Sequence, residues 1–267
     1  MTKNNKPIGI FDSGLGGLTI LKQVHKLMPK ENLIYFGDTA HVPYGSKSKQ
    51  TVQEYSLNIA KFLESKNIKM LVIACNSASA LAINTVKKHS KVPVIGVIEP
   101  GAFYANQKTK NKRVAVIATE ATIKSDAYKK ALKRLDKGLK ISQTPSPLFV
   151  PLIEEGLISD KITHMVAEKY LAKVKKNKPD TIILGCTHYP VIKKLISKVV
   201  GKNIYLIDSA ESVAKKVKQY LSNKDMLKKT GAGKMEVFAS DSPERFKKLS
   251  KFAFGSPLKT VKLKKLI

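Results

Sequence analysis

The chain has 267 residues, 43% of them hydrophobic, which is enough for one large core or two smaller ones. Its 49 lysines and arginines against 20 acids give a formal charge of +29. Only Arg113, Arg134 and Arg245 are arginines, the basic side chain suited to bidentate phosphate and base contacts, and tryptophan is absent. The charge therefore reads as a solvated lysine coat that draws in small anions, with no specific nucleic-acid partner.

No apolar run approaches the ~20 residues of a membrane span, and residues 1–7 lack the features of a secretory leader. The reading is a cytoplasmic protein with no membrane partner, whose thiols stay reduced.

The first strand is expected over 7–11 and runs into Asp12-Ser13, then Gly14-Leu-Gly16-Gly17, then a helix over 18–28. Leu18, Leu21, Val24 and Leu27 recur at helical spacing. A dinucleotide fingerprint would need glycine where Thr19 stands, and Asp12 would repel a pyrophosphate. The glycines are instead expected to let the backbone approach a small ligand faced by Asp12 and Ser13.

A strand over 32–36 leads to Asp38 and the turn His41-Val-Pro43-Tyr44-Gly45. That turn either closes a loop with Tyr44 packed on the surface, or offers N–H groups and a phenol to a carboxylate. A helix over 51–66 precedes a strand over 70–74, which ends at Cys75-Asn76-Ser77. A helix over 78–89 and a strand over 92–97 follow, with a link between two halves near Glu99-Pro100-Gly101.

The second half repeats the order. A strand over 113–118 leads to Thr119 and Thr122, with helices over 125–136 and 163–175 and a strand over 181–184 ending at Cys186-Thr187-His188. Between those helices, Glu154 and Glu155 are either solvated acids or an auxiliary to a thiol. A strand over 203–207 precedes a second crossing near Asp208. Gly231-Ala-Gly233-Lys234 is not a P-loop, since it lacks the first glycine and runs into a β-like segment over 236–239. Residues 259–267 read as a basic tail. Alternating strands and helices point to α/β layers on parallel sheets, and the repeated order points to a duplicated unit.

Cys75 and Cys186 are the two cysteines of the chain. Each follows an apolar run and precedes a candidate helix start. An inert buried thiol is one reading. The other is a thiol at a helix N-terminus, whose pKa falls from ~8.5 towards neutrality. A zinc site is not expected, because there is no CxxC and Cys186 with His188 supplies too few ligands. His25, His89 and His164 fall on lysine-rich helical faces, whereas His188 is placed to relay a thiol proton or to serve structurally. Twin thiols suit a reaction that removes a proton from one side of a carbon and returns one to the other.

Taken together, several segments resemble the glutamate racemase family, within the aspartate/glutamate racemases. They are Asp12-Ser-Gly-Leu-Gly-Gly-Leu-Thr19, Pro43-Tyr44-Gly45, Cys75-Asn76, Pro151-Leu-Ile-Glu154 and Gly185-Cys-Thr-His-Tyr-Pro190, with Val97-Ile-Glu-Pro-Gly101 and Ser242-Pro-Glu-Arg-Phe246 in support. They match in order over nearly the whole chain.

The resemblance implies an α/β fold of two pseudo-symmetric, doubly wound domains with mainly parallel sheets and the active site in the cleft between them. Residues 1–98 with 208–267 would form the first domain and 99–207 the second. It implies cofactor-independent, metal-free interconversion of L-glutamate and D-glutamate, supplying D-glutamate for the peptidoglycan of the cell wall, by a cytoplasmic homodimer. Cys75 and Cys186 would be the acid/base pair, Asp12 assisting the first, Glu154 and His188 the second. Asp12, Ser13, Pro43, Tyr44, Gly45, Asn76, Ser77, Thr119, Thr122, Thr187 and His188 would bind substrate. Ser77 stands where the family usually has threonine. The rival readings are a racemase of aspartate or a hydantoin, and a basic polyanion-binding protein with inert thiols.

Overall fold

The structure, a computed structural model, describes residues 3–266. Met1, Thr2 and Ile267, at the ends of the expected first domain, lie outside the described residues. The chain runs β1 (Ile8–Asp12), α1 (Leu18–Leu27), β2 (Leu33–Gly37), α2 (Lys49–Ser65), β3 (Met70–Ile73), α3 (Asn76–Leu81), α4 (Ile83–His89), β4 (Val94–Gly96) and α5 (Ile98–Lys108). It continues through β5 (Arg113–Ala118), α6 (Glu120–Lys124), α7 (Ala127–Leu135), β6 (Lys140–Pro145), α8 (Phe149–Glu154), α9 (Lys161–Lys176), β7 (Thr181–Gly185), α10 (Lys193–Val200) and β8 (Tyr205–Asp208). It closes with α11 (Ser209–Asn223), β9 (Met235–Ala239), α12 (Pro243–Phe254) and β10 (Lys262–Leu263).

Among the described residues the strands form two sheets, in the orders β10-β9-β2-β1-β3-β4 and β6-β5-β7-β8. Every pairing is parallel. The order β2-β1-β3-β4 repeats as β6-β5-β7-β8, so the two halves are pseudo-symmetric, and the first sheet adds β9 and β10 from the end of the chain. No described helix is long and apolar enough to cross a membrane.

Both faces of each sheet are covered, which is why the strands read as unbroken apolar runs. In β1, Ile8 and Ile10 enter a core shared by the two halves while Phe11 packs on the outer face with Phe36, Ile59 and Leu63. In β7, Ile183 enters the shared core while Ile182 and Leu184 pack outward with Phe149 and Leu171. The shared core also takes α1 through Leu18, Leu21 and Val24, and α11 through Val213, Val217 and Leu221. Each such side chain, fully buried, contributes about 1.5–3 kcal/mol of transfer free energy.

Three expectations are corrected. The stretch read as one helix over 78–89 divides at Ala82, where φ is −119° and ψ is −9°, into α3 and α4. The link expected at Glu99-Pro100-Gly101 lies inside the first turns of α5. Pro100 fits there because first-turn N–H groups need no intrahelical acceptor. The basic tail is not free, for Lys262 and Leu263 pair with Phe238 and Ala239 as an edge strand. Here Lys262 Nζ also meets Glu236 at 2.9 Å.

Candidate functional site

Parallel strands end on one side of each sheet, and open α/β folds carry ligands beyond those carboxyl ends. Here β1 delivers Asp12 and Ser13, β3 delivers Cys75 and Asn76, β5 delivers Thr119, and β7 delivers Cys186 to His188. These ends converge on one cleft lined by Ser13, Pro43, Tyr44, Gly45, Cys75, Asn76, Ser77, Thr119, Val150, Cys186, Thr187 and His188. It encloses about 260 Å³ of empty space, part of it open to solvent.

Three selected residues stand one hydrogen bond behind that lining. Asp12 accepts from Thr187 Oγ1 at 3.1 Å, Glu154 meets His188 Nε2 at 2.6 Å, and Thr122 meets Thr119 at 3.0 Å. Val150 was missed; a valine in an apolar helix carries no sequence signal of its own.

Cys75 caps α3, with the N–H of Ala78 donating to its Sγ at 3.5 Å. Its thiol donates to Ser13 Oγ at 3.6 Å. The cap contact does not lower this thiol as the sequence suggests. Burial, and then the charge of Asp12, push Cys75 up to about 12, and the helix-end N–H only moderates that rise.

Asp12 is itself fully buried. That burial raises its carboxyl above the usual range, against His188 and the N–H groups of Gly17 and Gly14 that favour the anion.

Cys186 is followed not by an α-helix but by the 3-10 turn Tyr189–Ile192. Its Sγ lies 3.8 Å from His188 Nδ1. Burial alone would pull His188 down. Its contacts with Cys186 and Glu154 win and hold the imidazole well above its ordinary value. Glu154 shows the reciprocal balance: burial pushes its carboxyl up, and His188 more than offsets that, leaving it lowered.

The Pro43-Tyr44-Gly45 turn lines the cleft and departs from the reading in which it merely closes a loop. Tyr44 is buried, not packed on the surface. Its phenol proton is committed to Asp38, with Oη donating to Oδ2 at 2.5 Å. His41 Nδ1 lies 2.9 Å from Asp38 Oδ1, which also accepts from Ser240 Oγ at 2.8 Å. Ser240, just past β9, thus braces one wall of the cleft.

The glycines allow close approach between parts of the protein itself. A Cβ on Gly16 would stand 2.4 Å from Thr187 Oγ1, and one on Gly45 would stand 2.5 Å from Thr119 Cβ. Both lie where the two halves of the molecule touch.

Asn76 completes the wall. Its Oδ1 accepts from Tyr128 Oη at 2.7 Å, while its Nδ2 is buried without a hydrogen-bond partner. Ser77 joins Thr119 at 2.9 Å in a chain of hydroxyls. The whole is a small cavity that brings two sulfurs together with hydroxyls, an imidazole and an unspent amide donor.

Comparison with known proteins agrees with that chemistry. The sequence model of the Asp/Glu/Hydantoin racemase family matches residues 18–217. The glutamate racemase of Geobacter metallireducens is 47% identical over 254 residues, spanning 95% of this chain and 94% of that protein. The glutamate racemase of Francisella tularensis, solved in complex with D-glutamate, is similar at a TM-score of 0.92 and 37% identity over 98% of both chains. A glutamate racemase isoform from Bacillus anthracis reaches 0.95 at 34% identity, again over 98% of both chains. The aspartate racemase of Picrophilus torridus, 22% identical with a TM-score of 0.59, covers 81% of this chain and shares the fold alone. A family match over most of the length, joined to close glutamate racemase relatives, assigns the chain: it belongs to the Asp/Glu/Hydantoin racemase family, on the glutamate racemase branch, and is an amino-acid racemase.

Proposed function

We propose that the enzyme interconverts L-glutamate and D-glutamate without a cofactor, with Cys75 and Cys186 as bases for opposite faces of the α-carbon. The observation that carries this reading is a single small cleft lined by both thiols, one at the end of a strand from each sheet.

The α-hydrogen of an amino acid is weakly acidic, so its removal calls for a strong base and a stabilised carbanion. A thiol held as high as about 12 is, once ionised, a strong base. The substrate ammonium, entering beside Cys75 and Asp12, supplies the positive charge that favours the thiolate. On the other flank His188, kept proton-rich by its partners, serves as the proton reserve for Cys186, with Glu154 holding the imidazole in place. Asn76, Ser77, Thr119 and Thr187 receive the substrate carboxylates, and the hydroxyls of Ser77, Thr119 and Thr187 meet the charge that builds on deprotonation. Ser13, Pro43, Tyr44, Gly45 and Thr122 complete the binding wall.

Residues 1–98 with 208–267 act as one domain and 99–207 as the other, closing over substrate to keep the site dry. The D-glutamate formed serves peptidoglycan synthesis in the cytoplasm, and the working form is a homodimer.

Circular dichroism of the L-to-D conversion tests the chemistry. Cys75→Ala and Cys186→Ala should each lower the rate by about 10³-fold or more. Near-normal racemisation in either variant overturns the two-base route. Parallel assays with aspartate and a hydantoin test the substrate.

A further inference from the structure

We infer that Tyr128 is a positioning residue that turns the Asn76 amide towards the substrate. The inference rests on the reading of Asn76 as a substrate-binding residue. Asn76 follows Cys75 directly, lines the cleft and is 2% exposed. Tyr128, on α7 in the second half of the fold, is 1% exposed and donates its phenol proton to Asn76 Oδ1 at 2.7 Å. That bond occupies the acceptor end of the amide. The donor end, Nδ2, is buried with no protein partner. A buried N–H pair with nothing to bond is costly, so the group that satisfies it is the ligand, through a carboxylate oxygen.

The two ends of a carboxamide have nearly the same shape, and packing cannot tell them apart. A flipped Asn76 would present its carbonyl oxygen to the substrate carboxylate, which is repulsive. What tells the ends apart here is a donor aimed at Oδ1. Tyr128 remains a donor throughout the working pH range because burial holds its phenol above the usual value.

The ring packs closely over two glycines. A Cβ on Gly101 would stand 3.3 Å from its Cε1 and Oη, and a Cβ on Gly185 would stand 3.2 Å from its Cε2. Gly185 directly precedes Cys186. The amide that receives substrate on the Cys75 side is therefore set by a ring wedged beside the Cys186 side.

Tyr128→Phe removes one oxygen and keeps the ring. The expected result is a KM for both enantiomers raised roughly fivefold, the equivalent of about 1 kcal/mol for one neutral hydrogen bond. The kcat should stay within about twofold, because the contact is made in ground and transition states alike. The deciding arm is the same change in an Asn76→Ala background, where nothing is left to orient and KM should move by less than about 1.5-fold.

An equal KM rise in both backgrounds overturns the inference, as does an unchanged KM in Tyr128→Phe alone. Where Asn76→Ala is too weak to assay, the nitrogen-15 side-chain amide signal of Asn76 replaces it. Tyr128→Phe must shift or broaden that signal without ligand; an unmoved signal overturns the inference. Wild-type enzyme unable to racemise glutamate would sink the proposed function and this inference together. Wild-type turnover with equal losses in both backgrounds sinks the orientation alone.

Discussion

The two flanks of the cleft are built alike and equipped differently. Four strands of each sheet follow the same order, and each sheet presents a cysteine just past its third strand in sequence, β3 or β7. Around Cys75 the hydrogen-bond partners are a hydroxyl and a backbone N–H. Around Cys186 stands an imidazole, braced by a carboxylate 2.6 Å away. The fold thus repeats geometry while the two ways of handling a proton have diverged. The enantiomers of an amino acid have equal free energies, so damage to one flank must lower kcat/KM by the same factor in both directions. Unequal equipment shows only in kcat and KM taken separately.

His188→Asn probes the equipped flank and carries the largest expected effect after loss of a thiol. Removing a positioned proton carrier should cost about 10²–10⁴ in kcat/KM, identically for L- and D-glutamate. A loss of less than about tenfold in both directions would remove His188 from the proton route.

The same variant has a stability signature with a defined sign. His188 is raised in the folded state, so its contribution is complete below the unfolded value of ~6.5 and is lost as pH rises through the folded value. Glu154 is lowered, so its contribution is present above ~4.3 and is lost as pH falls through its folded value. Breaking a buried pair costs about 3–5 kcal/mol. Urea unfolding should therefore show the wild-type advantage greatest near pH 5–6.5. An advantage that grows towards pH 9 would remove the pair from the account.

The plain flank is tested by alkylation. With Cys75 at about 12 in the free enzyme, its iodoacetamide rate should climb about tenfold per pH unit from pH 7 to 10, because only the thiolate reacts. Peptide mapping separates it from Cys186, and glutamate should slow the reaction. A plateau below pH 9 would mean that the thiol is activated before substrate arrives, and the contrast between the flanks would narrow. The sign for stability is the reverse of that for Glu154. The folded chain favours the protonated thiol, so that contribution is complete below ~8.5 and is lost as pH rises towards the folded value.

This contrast also marks what the sequence could carry. Apolar runs between turn residues gave β1 to β5, β7 and β8 nearly in place, because strands buried on both faces have no polar positions to hide them. Strand β6 was lost because Lys140, Ser142, Gln143 and Thr144 make it look like a loop. Helices α11 and α12 were lost among lysines. The cysteines, His188 and the glycine turn were legible because their chemistry is local. Tyr128, Val150 and Ser240 were not, since each matters only through partners far along the chain that the fold brings into contact, 52 positions away for Tyr128 and 202 for Ser240. The raised pKa of Cys75 was invisible for the same reason: the helix-end contact is local, whereas the burial that outweighs it is tertiary.

The smallest expected effect comes from the wall where the halves meet. Ser77 Oγ lies 2.9 Å from Thr119 Oγ1 and 3.4 Å from Thr122 Oγ1, which joins the start of α3 to the start of α6. Ser77→Thr keeps the hydroxyl and adds a methyl. If the wall has room, burial of that methyl contributes about 0.8 kcal/mol, and the branched side chain holds its hydroxyl in fewer rotamers. The expected result is a slightly higher melting temperature with KM within about threefold. Ser77→Ala, by contrast, leaves Thr119 and Thr122 to bond only each other and should raise KM by about fivefold, the worth of one hydrogen bond. A threonine variant as impaired as the alanine variant would show that the wall is already full. The hydroxyl bridge would then depend on close packing between the halves, and the two flanks would be coupled by sterics as well as by hydrogen bonds.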